Sequence, residues 1–221
     1  MEGLVNQGNT CYFNSALQCL KRIIPNDYKP SDEFLSSDPL KMLEIYREKY
    51  PSFNNSEPQD CQETFLNILE IVDKSLSNLM NTTIVNELVY PKGRKSWTTK
   101  QAMHIVNGEF KDFSKWVAIP EYVDDSGARW SVAAMRTCIT EIPQILWLSF
   151  PNGGVVEVDD EIYINDFLFK PCALCTLNNG HYVAFVKKEE GSWILCDDDN
   201  LQTIECYPKR DRHYMIFYER S

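Results

Sequence analysis

The chain has 221 residues, 43% of them hydrophobic and 24% charged, and its 32 acidic against 22 basic side chains give a net charge of −10. That balance is ordinary for a globular protein able to bury a sizeable core, and it does not suggest disorder. With no dense Lys/Arg cluster interleaved with aromatics, it argues against a nucleic-acid partner and favours association with a protein that carries a basic face.

No run of about 18 apolar residues is present, which argues against a membrane-spanning helix and a membrane partner. The opening MEGLVNQGN has neither the basic region nor the apolar core of a signal peptide. The eight cysteines are therefore read as thiols of a reducing compartment, cytoplasmic or nuclear. A monomer is expected.

In chain order, GLVNQGNTCYFNSALQCL sets the first element. Phe13, Ala16, Leu17, Leu20 and Ile24 recur at helical spacing, so an amphipathic helix begins near Thr10. Cys11 stands at its N-terminus, where unsatisfied N–H groups and the positive end of the helix dipole favour a thiolate. Cysteines so placed can have a lowered pKa and act as nucleophiles, although a cysteine taken at random is more often a small packing residue. Cys11 and Cys19 lie about 12 Å apart along this helix and cannot bridge each other.

SSDPLKMLEIYREKY predicts a second helix, with Asp38 as N-cap and Pro39 at the first helical position. NNSEPQDCQETFLNILEIVDKSLSNL predicts a third. Ser56 and Gln59 have the spacing of a capping box, and Cys61, Phe65, Leu69, Val72, Leu76 and Leu79 share one face.

From about residue 84 the pattern changes to short β-branched and aromatic runs, among them IVNELVY, QILWLSF, DFLFKPCALCTL, HYVAFVKK, SWILCD and HYMIFYE, which read as strands. NGG at 152–154, NNG at 178–180 and EEG at 189–191 are turn signals. Residues 81–137 carry the weakest pattern, and YVDDSGARW within them reads as a hairpin or an exposed loop. Helices first and strands afterwards predict an α+β fold, a helical lobe against a largely antiparallel sheet with a cleft between them.

A cysteine nucleophile needs a base, and the base an orienting partner. His104 has no acidic pattern around it, and His213 lies in an apolar strand that suits a structural role. His181 follows Gly180 at a turn, and the hairpin from HYVAFVKK to SWILCDDDN brings residue 197 back beside it. An Asp there can accept the imidazole N–H. Asp197 is the first acid after the apolar strand, while Asp198 points to the opposite side if the extended conformation continues. The acidic triplet reads equally well as a solvated turn. Asn6, five residues before Cys11, can donate to a developing oxyanion or cap its own turn, the better reading taken alone.

Together these stretches resemble a known family. GLVNQGNTCYFNSALQ resembles the cysteine motif of the ubiquitin-specific proteases, the papain-like deubiquitinases, and NNGHYVAFVKKEEGSWILCDDDNL resembles their histidine motif. PQDCQETF is similar to the family's glutamine-aspartate motif, and EIPQILWLSF and HYMIFYER resemble the strands before and after the histidine region. The resemblance implies a papain-like α+β hand forming one catalytic domain over residues 1–221: a helical thumb to about residue 80, fingers over 81–137 and a palm sheet over 138–221. It implies Cys11 as nucleophile, His181 as general base and acid, Asp197 as the orienting acid, Asp198 as an assisting neighbour and Asn6 as oxyanion donor. Gln59, Asp60, Glu63, Gly180 and Tyr182 match substrate-binding positions, with Asp60 and Glu63 meeting arginines of the ubiquitin tail.

The reaction implied is thiol-dependent hydrolysis at the C-terminal glycine of ubiquitin, with ubiquitin or ubiquitinated proteins as partners and no cofactor. The alternatives are another ubiquitin-like modifier, an inactive ubiquitin-binding module and a general papain-like peptidase. The sequence also departs from the family. Its fingers commonly hold zinc through two C-x-x-C pairs, and residues 81–137 contain none. Cys172 and Cys175 fall on a strand whose alternation sends them to opposite sides, so no metal is expected. The fingers are expected to be shortened and held by packing. Thr64 stands where an aromatic is expected after Glu63, and WLSFPN lacks the usual basic residue. So compact a form suits a pared-down enzyme of a parasite or virus.

Overall fold

The computed structural model describes residues 2–30, 33–105, 115–151 and 154–221. The turn expected at 152–154 falls largely outside them, as does part of the stretch 81–137.

The described residues begin with five helices: α1 (Cys11–Ile23), α2 (Glu33–Ser36), α3 (Pro39–Lys49), α4 (Cys61–Ile71) and α5 (Lys74–Met80). Helix α3 starts as its sequence dictates, with the Asp38 carboxylate accepting from the Leu40 and Lys41 N–H groups and Pro39 in the first turn. The third predicted helix is corrected in two ways. It starts at Cys61, four residues later than a Ser56 cap requires, because the Asp60 carboxylate accepts from the Glu63 N–H and from the Tyr214 hydroxyl. It also breaks at Val72, and Asp73 caps a separate helix through the Ser75 N–H.

Seven strands follow over the weakly patterned region: β1 (Thr82–Tyr90), β2 (Gly93–Gln101), β3 (Met103–Ile105), β4 (Val117–Ile119), β5 (Tyr122–Val123), β6 (Arg129–Trp130) and β7 (Ala133–Glu141). Nine more complete the chain: β8 (Ile145–Ser149), β9 (Val156–Glu157), β10 (Ile162–Ile164), β11 (Phe167–Asn178), β12 (His181–Lys187), β13 (Trp193–Asp197), β14 (Asn200–Ile204), β15 (Arg210–Asp211) and β16 (His213–Arg220). The large sheet has the order β14-β13-β12-β11-β16-β8-β3, with β10 beside β11, and a smaller sheet has the order β2-β1-β7-β4. Strand β3 joins the large sheet by pairing parallel to β8, and β7 runs across residue 137 into the stretch assigned from sequence to the palm.

The large sheet is covered on both faces, which is why its strands read as continuous apolar runs rather than alternating ones. Trp147, Met215 and Phe217 face the helices, while Leu146, Leu148, Ile216 and Tyr218 face a second core with Val158, Ile162 and Tyr207. Phe65 of α4 packs edge-on against Trp147 at 4.8 Å, and Trp147 stacks on Phe217 at 5.6 Å. This aromatic column fixes the helical lobe on the sheet.

Helix α1 differs from a simple amphipathic helix. Every residue from Cys11 to Leu20 is buried, including Asn14, Ser15 and Gln18. The helix runs between α4 and strands β11 and β12, and the extended segment before it covers its polar side. Gln18 Nε2 donates to Glu2 O at 2.8 Å, and Asn14 Nδ2 donates to Leu4 O at 3.0 Å.

Strand β11 corrects a second expectation. Its pairing with β16 slips between Pro171 and Ala173, and this bulge returns Cys172 to the helix-facing core that also holds Cys175. Cys172 donates to Phe217 O at 3.3 Å, whereas Cys175 lies 3.5 Å from Cys61 of α4. The two side chains share a core and have different partners.

His104 and His213 are buried and hydrogen-bonded, His104 to Thr82 and Gln101, His213 to Thr176 and Pro208 O. Burial lowers the His104 pKa to about 4 and pushes His213 down as well. Between pH 6.5 and 4 the unfolded chain binds a proton that folded His104 refuses, so stability is full above that window and falls as pH drops through it. For His104 alone the loss is on the order of 3 kcal/mol. Thermal unfolding from pH 7 to pH 4.5 is expected to show a steeper fall in Tm for the wild type than for His104→Gln, and equal slopes would refute this assignment.

Candidate active site

The turn between Gly8 and Asn9, both at positive φ, delivers the chain into α1 with Cys11 as its first residue. Thr10 does not cap the helix with its side chain. Its Oγ1 accepts from the Gln7 N–H at 2.9 Å, and its own N–H donates to Asn6 Oδ1 at 3.0 Å. Asn6 therefore caps its turn, and its Nδ2 also donates to Asp198 Oδ2 at 2.8 Å. The two roles weighed from sequence use opposite ends of one amide.

Asn179 and Gly180, both at positive φ, form the tight turn joining β11 to β12. Strand β12 then pairs with β13, Ala184 opposite Cys196, which returns Asp197 to the neighbourhood of His181. His181 Nε2 lies 2.6 Å from Asp197 Oδ1, with both side chains about 40% exposed, 41% and 43%. Nε2 is thus the ring nitrogen that meets the carboxylate, and Nδ1 is turned away from it. Asp198 does not compete for the ring. Its backbone is left-handed, φ 52°, and turns the carboxylate to Asn6 and to Asn14, whose Nδ2 donates to Asp198 Oδ1 at 2.8 Å. The structure thus separates two acids that the sequence left open.

The Cys11 thiol lies beside this hairpin and is 7% exposed. Backbone N–H groups of Tyr182 and Tyr12 point at it and favour the thiolate, but burial outweighs them and Asp198 adds repulsion, so its pKa is raised above the ordinary thiol value. This corrects the expectation of a lowered pKa. Among the described residues no hydrogen bond joins Cys11 to His181.

The positions matched to substrate binding are unevenly placed. Glu63 is exposed at the start of α4, and Gln59 donates to Asn55 Oδ1 at 3.0 Å. Asp60 is held by the helix cap and Tyr214. Gly180 is exposed in its turn. Tyr182 is buried and packs edge-on against Tyr214 at 5.6 Å, facing Cys11 with its backbone. Thr64 is buried too, donating to Asp60 O and accepting from Tyr46.

Atoms of His181, Asp197 and Asp198 lie within 4.8 Å of one another, close enough to share a metal ion. The carboxylates are already committed to His181, Asn6 and Asn14. A groove of about 1010 Å³ at the other end of α1 is lined by Lys21, Arg22, Pro171, Lys187 and Arg220 among others, and by none of the candidate residues. Asn14 was missed from sequence. Its signal was a polar pair, Asn14 and Gln18, one turn apart in a helix whose first three turns are otherwise mostly apolar.

Comparison with curated proteins returns no match. Residues 172–218 match the family model described as ubiquitin carboxyl-terminal hydrolase, a segment that includes His181, Asp197 and Asp198 but not Cys11. The solved SAGA Ubp8/Sgf11/Sus1/Sgf73 DUB module bound to ubiquitin aldehyde is similar with a TM-score of 0.75 at 16% identity, over 100% of this chain and 70% of that one. The chain has the fold of this DUB module. A SAGA DUB module bound to monoubiquitin gives a TM-score of 0.78 at 15% identity, over 100% of this chain and 69% of that one. A yeast SAGA DUB module with altered Sgf73 gives 0.73 at 16%, over 100% and 68%.

Because burial raises the Cys11 pKa, the thiol of the free protein is neutral at pH 7, and its reaction with a small alkylating agent should climb through pH 9. Rates of Cys11 alkylation followed by mass spectrometry check this. A plateau already reached at pH 7 would mean that the helix terminus outweighs burial.

Proposed function

We propose that the protein is a cysteine deubiquitinase whose 221 residues act as one catalytic unit. The observation that carries this reading is the 2.6 Å bond from His181 Nε2 to Asp197, in a hairpin whose Tyr182 N–H points at the Cys11 sulfur. Residues 170 positions apart in the chain thereby assemble a nucleophile, a base and an orienting acid. The match of residues 172–218 to the ubiquitin carboxyl-terminal hydrolase model supports ubiquitin as the substrate class, as does the likeness to DUB modules bound to ubiquitin.

In the reaction, His181 Nδ1 takes the Cys11 proton as the sulfur attacks the carbonyl of the C-terminal glycine of ubiquitin. The pair closes to hydrogen-bond range only with substrate in place, as is common for catalytic bonds that are long in the free enzyme. The Asn6 amide has two hydrogens, one on Asp198 and one left for the oxyanion. The imidazolium then protonates the departing amine, and water activated by the same ring hydrolyses the thioester. Glu63 and Asp60 at the head of α4 supply negative charge for a basic tail, in keeping with the net charge of −10. The free thiols suit a reducing compartment, cytoplasm or nucleus, and among the described residues no helix is long and apolar enough to cross a membrane.

A second reading is a ubiquitin-binding module without turnover, favoured by the raised Cys11 pKa and by the missing Cys11–His181 bond. Ubiquitin carrying a C-terminal cysteine-trapping group separates the two. Wild type is expected to form a covalent adduct, Cys11→Ala none, and an equivalent probe of another modifier less. Binding without an adduct would favour the inactive module, and rapid cleavage of short unrelated peptides a general peptidase. Asp197→Asn is expected to lower kcat by about 100-fold or more, since the orienting acid sets the tautomer of the base. Asp198→Asn keeps the acceptor oxygen for Asn6 and should lose less. The reverse order would exchange the roles of the two acids.

A further inference from the structure

Asn14 sits in the first turn of α1, three residues after Cys11, and is 6% exposed. Asparagine is a poor helix residue because its side chain competes for backbone hydrogen bonds, and a buried amide without partners costs about 1–3 kcal/mol. Here both amide hydrogens are used, one on Leu4 O at 3.0 Å and one on Asp198 Oδ1 at 2.8 Å. The first bond holds the segment that precedes the nucleophile, and the second holds the turn that follows Asp197.

The same two pieces of chain meet again beside it. Leu4 N donates to Asp198 O at 2.9 Å, and Asn6 Nδ2 donates to the other Asp198 oxygen at 2.8 Å. Gly3 lies so close to this turn that a Cβ on it would come within 2.3 Å of Asp199 O. A carboxylate held at one oxygen can swing, whereas Asn14 and Asn6 take one oxygen each and fix its plane. With one Asn6 hydrogen so fixed, the direction of the other follows from the planar amide.

We infer that Asn14 is a positioning residue: acting through Asp198, it aims the Asn6 amide and sets the nucleophile helix against the His181–Asp197 hairpin. The inference rests on the deubiquitinase reading for its activity readout. A purely structural strap is the competing account, and Gln18 supplies the contrast. One turn further along α1, its Nε2 binds Glu2 O, tying down the same segment without bonding to the Asp198 carboxylate.

The test measures hydrolysis of a fluorogenic C-terminal ubiquitin amide by the full chain with Asn14→Ala, Asp198→Ala, both together, and Gln18→Ala, each beside its thermal unfolding. Asn14→Ala should lower kcat by about 10- to 100-fold with KM within about twofold, because a misdirected oxyanion donor is lost mainly from the transition state. The double variant should fall no further than Asp198→Ala, since effects carried through one residue do not multiply. Gln18→Ala should lower Tm comparably and keep kcat within about threefold of wild type. Asn14→Asp, nearly isosteric, guards against a misfolded alanine variant and should lose at least as much turnover, because it sets a second carboxylate against Asp198.

Losses that multiply in the double variant, a loss confined to KM, or an equal loss of kcat in Gln18→Ala would overturn the inference. If the wild type turns over no ubiquitin substrate, the deubiquitinase reading fails, and amide hydrogen exchange then decides the bridge by itself. Faster exchange at Leu4 and Thr10 in Asn14→Ala would uphold it, and unchanged protection would overturn it.

Discussion

The hydrogen bonds that tie the turn after β13 to the segment before α1 govern the rest of the candidate site. Asp198 receives Asn6 and Asn14 through its carboxylate and Leu4 through its carbonyl, so polar groups of directional geometry add to the apolar packing between the helices and the large sheet. Apolar contacts alone would tolerate sliding between the two. With this turn fixed, Asp197 is left pointing at His181, and the Tyr182 N–H is left pointing at Cys11.

At Cys11 two effects oppose each other, and their sizes decide the outcome. A helix N-terminus is worth about 0.3–1 kcal/mol to a nearby anion. Taking an anion out of water costs several kcal/mol even after relaxation. With Cys11 only 7% exposed, burial prevails and its pKa is raised.

The small sheet obeys different physics. Glu87 of β1 is held between Arg136 and Arg94, which lower its carboxyl pKa, Arg136 contributing most. Glu87 is largely covered, its side chain 14% exposed, while Arg94 is open to water at 57%, so these partly solvated pairs are not the whole cohesion of the region. Tyr90 packs on Tyr122 at 5.1 Å and on Trp130 at 5.9 Å, while Ile84 and Ile139 join the second core of the palm. Aromatic packing and a shared core supply this cohesion among the described residues.

The sequence by itself determined several of the elements and the candidate residues they carry. Apolar spacing placed α1, the Asp38-Pro39 start placed α3, and the β-branched runs placed the palm strands, because these signals are local and their periods are fixed by backbone geometry. Cys11 at a helix start and His181 at the head of a hairpin were legible for the same reason. Only the tertiary structure decided between Asp197 and Asp198, since one residue's departure from extended geometry reverses which carboxylate meets the ring. It also decided the burial of Cys11, the partners of Asn14 and the shared core of Cys172 and Cys175. Each of these depends on burial or on a partner far away in the chain, and neither quantity is written in any local stretch of residues.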